Sequence, residues 1–137
     1  MSVDWIIHFI PCTPQPSFHT HGLDRHNSLE LELNLALKPK QAMQFINLTA
    51  MDMVKTGKRY QSGDREDDVF NLPFYLFETN PLQPSRPGDR VLRILFCDPD
   101  NKYPWEEGCQ PPYSDQLNPS EAAAMRALLE RKKGVLS

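Results

Sequence analysis

The sequence predicts an α+β domain, with a mostly antiparallel sheet of four or more strands and two helices, at about 39–56 and 118–133. Three stretches carry that expectation. In LELELNLAL (29–37), Leu29, Leu31, Leu33, Leu35 and Leu37 fall on one side, and Glu30, Glu32, Asn34 and Ala36 on the other. A period of two marks a strand with one buried and one wet face, and one-sided burial favours antiparallel pairing. After Lys38-Pro39 the spacing changes. Ala42, Phe45, Ile46, Thr49, Ala50 and Met53 recur at intervals of three and four, the stripe of an amphipathic helix. Pro39 suits its first turn and Gly57 its end. The third stretch, Asn118-Pro119-Ser120-Glu121, reads as N-cap, proline at the first helical position and acid at the third. Arg131, Lys132 and Lys133 suit that helix's negative end, with Gly134 as its stop. Helices segregated from strands in this way fit the α+β class.

The other elements follow in chain order. VDWIIHFI (3–10) is a strand ended by the proline-rich PCTPQP. In it His8 alternates with Ile6 and Ile10, which places the imidazole on a half-buried face with a polar partner. Lys58 to Asp68, with its run GDREDD, reads as a solvated loop. VFNLPFYLF (69–77) is apolar, but Pro73 lacks a ladder donor, so this strand is expected at an edge or with a bulge. Residues 80–89 are a turn-rich connection. RVLRILFC (90–97) is a buried strand with Arg93 interrupting one face. Residues 98–117 are irregular and proline-rich. No repeat or linker divides the chain, so residues 1–137 are read as a single domain, large enough to bury a core without a disulfide or metal.

Composition narrows the function classes. A net charge of −3 and a pI near 5.8 argue against a general nucleic-acid binder. The apolar run Trp5 to Ile10 is far too short to span a bilayer and lacks a basic flank, so no membrane association is expected. Three widely spaced cysteines, Cys12, Cys97 and Cys109, are no disulfide framework; they point to a reducing, cytoplasmic setting. No phosphate loop, dinucleotide-binding glycine motif, nucleophile elbow or CxxC pair is present, and no organic cofactor is predicted.

FHTHGLDRH (18–26) gathers three of the four histidines. Residues i and i+2 of an extended segment point to one side, so His19 and His21 can share an ion, with Asp24 or His26 completing a zinc-like divalent metal site. The pattern H-x-H-x-x-D-x-H carries one residue too many for the H-x-H-x-D-H signature of metallo-β-lactamase-fold hydrolases. That fold, like metal-dependent barrel hydrolases, also needs downstream histidines and a longer chain. The competing reading is an ordered turn held by Thr20, Asp24 and Asn27. A second candidate is the end of the buried strand, where Asp98 and Asp100 offer either acid–base groups or ordinary turn chemistry. Trp105, with Tyr103 and Tyr113, is either a recognition surface or a lid over one end of the sheet. A nucleophilic Cys97 or Cys109, activated by one of the N-terminal histidines, would need an electropositive setting, but Cys97 ends a strand followed by acids, which raise a thiol's pKa. Arg93, mid-strand, needs a carboxylate partner, Glu30 or Glu32 if the two strands pair; the sharper alternative is an anion-binding arginine.

His19-Thr20-His21-Gly22-Leu23, the following LELELNLAL, the helix with Asn47 and Leu48, the turn at Gly57 and the later LRILFCDPDNKYPW resemble a family of small bacterial domains of unknown function, over about residues 19–117. The resemblance implies a compact bacterial cytosolic domain and brings no reaction with it. The functional expectation is a non-enzymatic binding or protein-interaction domain with a protein partner or a second copy of itself. The alternative is a small metal-dependent, hydrolase-like protein centred on His19, His21, Asp24 and His26, with Asp98 or Asp100 drawn in.

Overall fold

A computed structural model describes residues 4–11, 16–84 and 86–136, with side chains up to residue 133. Its elements are β1 (Ile6–Ile10), β2 (Ser17–His21), β3 (Glu30–Leu33), α1 (Pro39–Thr56), β4 (Arg65–Glu66), β5 (Phe74–Thr79), β6 (Val91–Leu95) and α2 (Pro119–Leu136). Single turns of 3-10 helix lie at Leu23–His26 and Tyr113–Gln116. No described helix is long and apolar enough to cross a membrane.

The six strands form one sheet in the order β1-β2-β3-β6-β5-β4. All neighbours are antiparallel except the central pair, β3 and β6. The leucine strand therefore departs from its expectation. It lies at the centre of the sheet, pairs with β6 in parallel and is buried on both faces, Glu32 and Asn34 included. Side-chain alternation reports that two faces exist; what covers each face is decided by elements distant in sequence.

On one face, Phe18, Leu31, Leu33, Leu76, Leu92 and Ile94 meet the α1 stripe of Ala42, Ile46, Ala50 and Met53. That helix matches its prediction at both ends. Pro39 opens it, and Gly57, at φ 78°, donates its N–H to the Met53 carbonyl. On the other face α2 covers only the β5–β6 half, packing Met125 against Phe77, Leu95, Trp105 and Leu117. The predicted capping box closes its N-terminus: the Glu121 N–H donates to Asn118 Oδ1 at 2.8 Å, and the Asn118 N–H to Glu121 Oε1 at 2.9 Å. Gly134 does not end this helix, which runs on to Leu136.

Two further expectations are corrected. The strand that contains Pro73 starts just after it, and β5 lies inside the sheet, with the two-residue β4 as the edge. The acidic run is not simply solvated, because Glu66 is buried and accepts hydrogen bonds from Tyr60 Oη, Lys58 Nζ and the Asp68 N–H.

Candidate functional site

The strand register places the histidines. The β1–β2 hairpin sets His8 directly opposite His19 and Ile6 opposite His21, while His19 faces Glu32 across β2–β3. Since cross-strand partners share a face, His8, His19 and His21 all project from the half of the second face that α2 leaves uncovered. The His8 and His19 rings are 5.0 Å apart, and those of His8 and His21 5.8 Å. His8 was expected on a half-buried face with a polar partner; it is exposed instead, and its neighbours are these two imidazoles. Partial burial, and then the nearness of His8, hold the His19 imidazole below the ordinary histidine pKa, with Glu32 pulling weakly the other way.

The chain then reverses at Gly22, whose φ of 123° is closed to other residues and whose added Cβ would stand 2.9 Å from the Asp4 carbonyl. The Glu30 carboxylate organises the turn. It accepts from Thr20 Oγ1 at 2.8 Å and from the N–H groups of Gly22, Leu23 and Asp24 at 3.1–3.3 Å. Thr20 Oγ1 in turn accepts the Leu31 N–H. Leu23 plugs into the core, and Arg59 donates to the carbonyls of His26, Asn27 and Met53, tying the turn to the end of α1. The ordered-turn reading holds only in part: Thr20 Oγ1 bonds backbone, but from within strand β2, and among the described residues the side chains of Asp24 and Asn27 show no such bond.

This turn divides the predicted metal set. His26 Nε2 lies 2.8 Å from Asp4 Oδ1 and its ring stands edge-on to Trp5, away from His19 and His21. The Asp4 carboxyl is held below its ordinary range chiefly by that hydrogen bond. Asp24 stays with His19 and His21 along a cleft of about 220 Å³, which Glu30 also lines and which Arg86 and Arg90 close from the 80–90 loop. Among the described residues, no three side chains of metal-ligating type are already gathered about one point.

The remaining candidates lie elsewhere. Arg93 is 3% exposed and makes four hydrogen bonds. Its Nε donates to Glu32 Oε1 at 2.7 Å, and its terminal nitrogens donate to Glu121 Oε1 and to the carbonyls of Gln116 and Asn80. It is the salt bridge foreseen with Glu32, extended by Glu121 into a triad that joins β3, β6 and the start of α2. Asp98 lies past the far end of β6, whereas His21 sits beside Glu30 and Val91 at its near end. Asp98 organises its own loop. Burial works to raise its pKa, but the N–H groups of Lys102, Gln110 and Asp100 outweigh burial and keep it ionised. Asp100 accepts from Gln110 Nε2. Trp105 stacks on Tyr103, meets Tyr75 edge-on and packs in the core beneath α2, the place of the lid. Cys97 is buried; burial, then nearby Asp98 and Glu106, push the Cys109 thiol up to about 11, so it is no nucleophile near neutral pH. Cys12 lies outside the described residues.

The residue that sequence reasoning missed is His8. Its only signal was alternation with Ile6 and Ile10, which is silent on its cross-strand partner. Comparison with protein-family models, curated proteins and solved structures finds nothing that matches this chain.

Proposed function

We propose that this protein is a small, non-enzymatic interaction domain that self-associates through the free edge of β1. The observation that carries the reading is the contrast between the two edges of the sheet. The β4 edge is two residues long and charged, Arg65 and Glu66, the kind of edge that discourages pairing. The β1 edge is five residues, Ile-Ile-His-Phe-Ile, without charge, proline or glycine. Ile6 is 57% exposed and Phe9 38%, and among the described residues β1 pairs on one side only. Its outer amides and carbonyls form a ready template for another strand.

A second copy of β1 is the partner this edge fits. Antiparallel pairing about a two-fold at His8 brings Ile6 opposite the copy's Ile10, covering the most exposed apolar side chain with no like-charge contact. A five-residue edge buries little surface, so the association is weak and concentration-dependent. Sedimentation equilibrium from about 1 μM to about 1 mM covers the corresponding affinities. The expected result is a shift from a 15.8 kDa monomer to a dimer, abolished by Ile6→Lys, which leaves the circular dichroism unchanged. A wild-type chain that stays monomeric throughout would overturn the proposal, as would an Ile6→Lys variant that still dimerises.

A further inference from the structure

We propose a second property, independent of the dimer: His8, His19 and His21 form a three-histidine site for a zinc-class divalent ion on the uncovered half of the sheet. Three observations converge on it. The register brings the imidazoles together from two adjacent strands, two at i, i+2 on β2 and one directly across on β1. Two of the three separations, 5.0 Å for His8–His19 and 5.8 Å for His8–His21, are near the roughly 5 Å between ring centres that Zn–N bonds of ~2.0–2.1 Å at tetrahedral angles require, and His19 and His21 are related by the i, i+2 spacing of β2. Finally, none of the three makes a side-chain hydrogen bond to a described residue, while the fourth histidine, His26, is bonded to Asp4. With His8 and His21 exposed and His19 partly so, their ring nitrogens are open to an incoming ion.

The rings do not yet converge. The planes of His8 and His19 are 27° apart, and those of His8 and His21 73° apart, so coordination requires the rings to turn about their side-chain torsions. His8 and His21 are exposed and can turn without breaking a bond among the described residues. The surroundings carry both signs of charge, with Arg86 and Arg90 lining the adjoining cleft against the carboxylates. Glu32 stands opposite His19, and Glu30 and Asp24 line the adjoining cleft. Glu30 and Glu32 are already engaged, by the Gly22–Asp24 amides and by Arg93, so they offset the ion's charge without competing as ligands. Three histidines leave a fourth position facing solvent, the arrangement of an accessible ion rather than of a closed structural one.

The test uses the intact chain at about 1 μM, below the concentration at which a weak dimer forms, with zinc chloride competed against a chromophoric chelator. Cobalt(II) serves as a spectroscopic probe of coordination. The expected results are one ion per chain, a tetrahedral cobalt spectrum, and affinity lowered at least ~100-fold in each of His8→Ala and His21→Ala, since even outer-shell losses cost about 10–100-fold. Both residues are exposed, so these variants keep the fold if His19→Ala does not, and unfolding curves verify it. His26→Ala leaves binding unchanged. Absence of zinc uptake, one ion per two chains, binding that survives His8→Ala, or binding lost in His26→Ala would each overturn the site. None of these outcomes bears on self-association, which is read from mass.

Discussion

Removing both charges of the Glu32–Arg93 pair is expected to destabilise the fold by clearly less than the two single removals added together. Glu32 is 1% exposed, and besides Arg93 Nε it accepts from Asn34 Nδ2 at 3.1 Å and the Leu82 N–H at 2.7 Å. Arg93→Met leaves that carboxylate and Glu121 without the guanidinium, and also strips a donor from the carbonyls of Asn80 and Gln116. Loss of one partner from a buried pair costs about 3–5 kcal/mol, so Arg93→Met belongs in that range. Glu32→Gln keeps the shape but turns an amide N–H₂ toward existing donors, at a cost of about 2–3 kcal/mol. The double variant Glu32→Leu, Arg93→Met removes both buried charges. It still loses partners for the Leu82 N–H and two carbonyls, so it stays below wild type, but by about 2–3 kcal/mol less than the two single changes (Glu32→Leu and Arg93→Met) would sum to. Urea unfolding followed by fluorescence of the buried Trp5 and Trp105 measures all four corners of the cycle. Single variants that each cost under about 1 kcal/mol, or a double variant that is strictly additive, would show that the triad does not hold the sheet to α2 and would reopen Arg93 as an anion-binding residue.

Two further outcomes follow from the same structure. At Glu66, burial works to raise the carboxyl's pKa, yet the hydrogen bonds from Lys58, Tyr60 and the Asp68 N–H bring it down to about 2 from an ordinary 4.5. The folded value lies below the unfolded one, so the stabilisation is complete above about pH 4.5 and is lost as pH falls toward 2. At about 1.4 kcal/mol per pH unit it amounts to at most about 3.5 kcal/mol, and urea midpoints should fall less between pH 6 and pH 3 in Glu66→Gln than in wild type; parallel curves would refute the assignment. Gly22→Ala forces a Cβ against the Asp4 carbonyl in a left-handed backbone, so thermal unfolding should show a loss of at least about 1–3 kcal/mol, and a change under about 0.5 kcal/mol would mean that the turn relaxes freely.

Much of the fold was legible because it is written in local periodicity. The α1 stripe and its glycine stop, the Asn118–Glu121 cap and the buried β6 strand each rest on residues within a turn or two of one another, and each stands where its pattern puts it. Arg93's need for a carboxylate of the leucine strand, Glu30 or Glu32, was legible too, since a guanidinium inside a strand must find one, and the structure selects Glu32. Less of the candidate site was. FHTHGLDRH looked like one cluster, but sequence proximity is not convergence: Glu30 draws the turn's amides inward, and His26 is engaged by Asp4 and Trp5 instead. The strand-end acids, Asp98 and Asp100, belong to the opposite end of the sheet, a separation set by the parallel pairing of β3 with β6.

By itself, then, the sequence determined both helices with their N-terminal signals, four of the six strands (β1, β3, β5 and β6, not β2 or β4) and the demand of a buried charge for a partner, because those depend on residues a few positions apart and on elementary electrostatics. Tertiary structure alone decided three things. It buried both faces of the leucine strand by placing it at the sheet centre. It left β1 and the His19–His21 end of β2 uncovered on the second face by seating α2 over β5 and β6 only. It brought His8 across from His19 through the register of the β1–β2 hairpin. Strand order, register and coverage depend on contacts between distant segments, and a slip of one residue in that hairpin would turn the β1 imidazole to the opposite face.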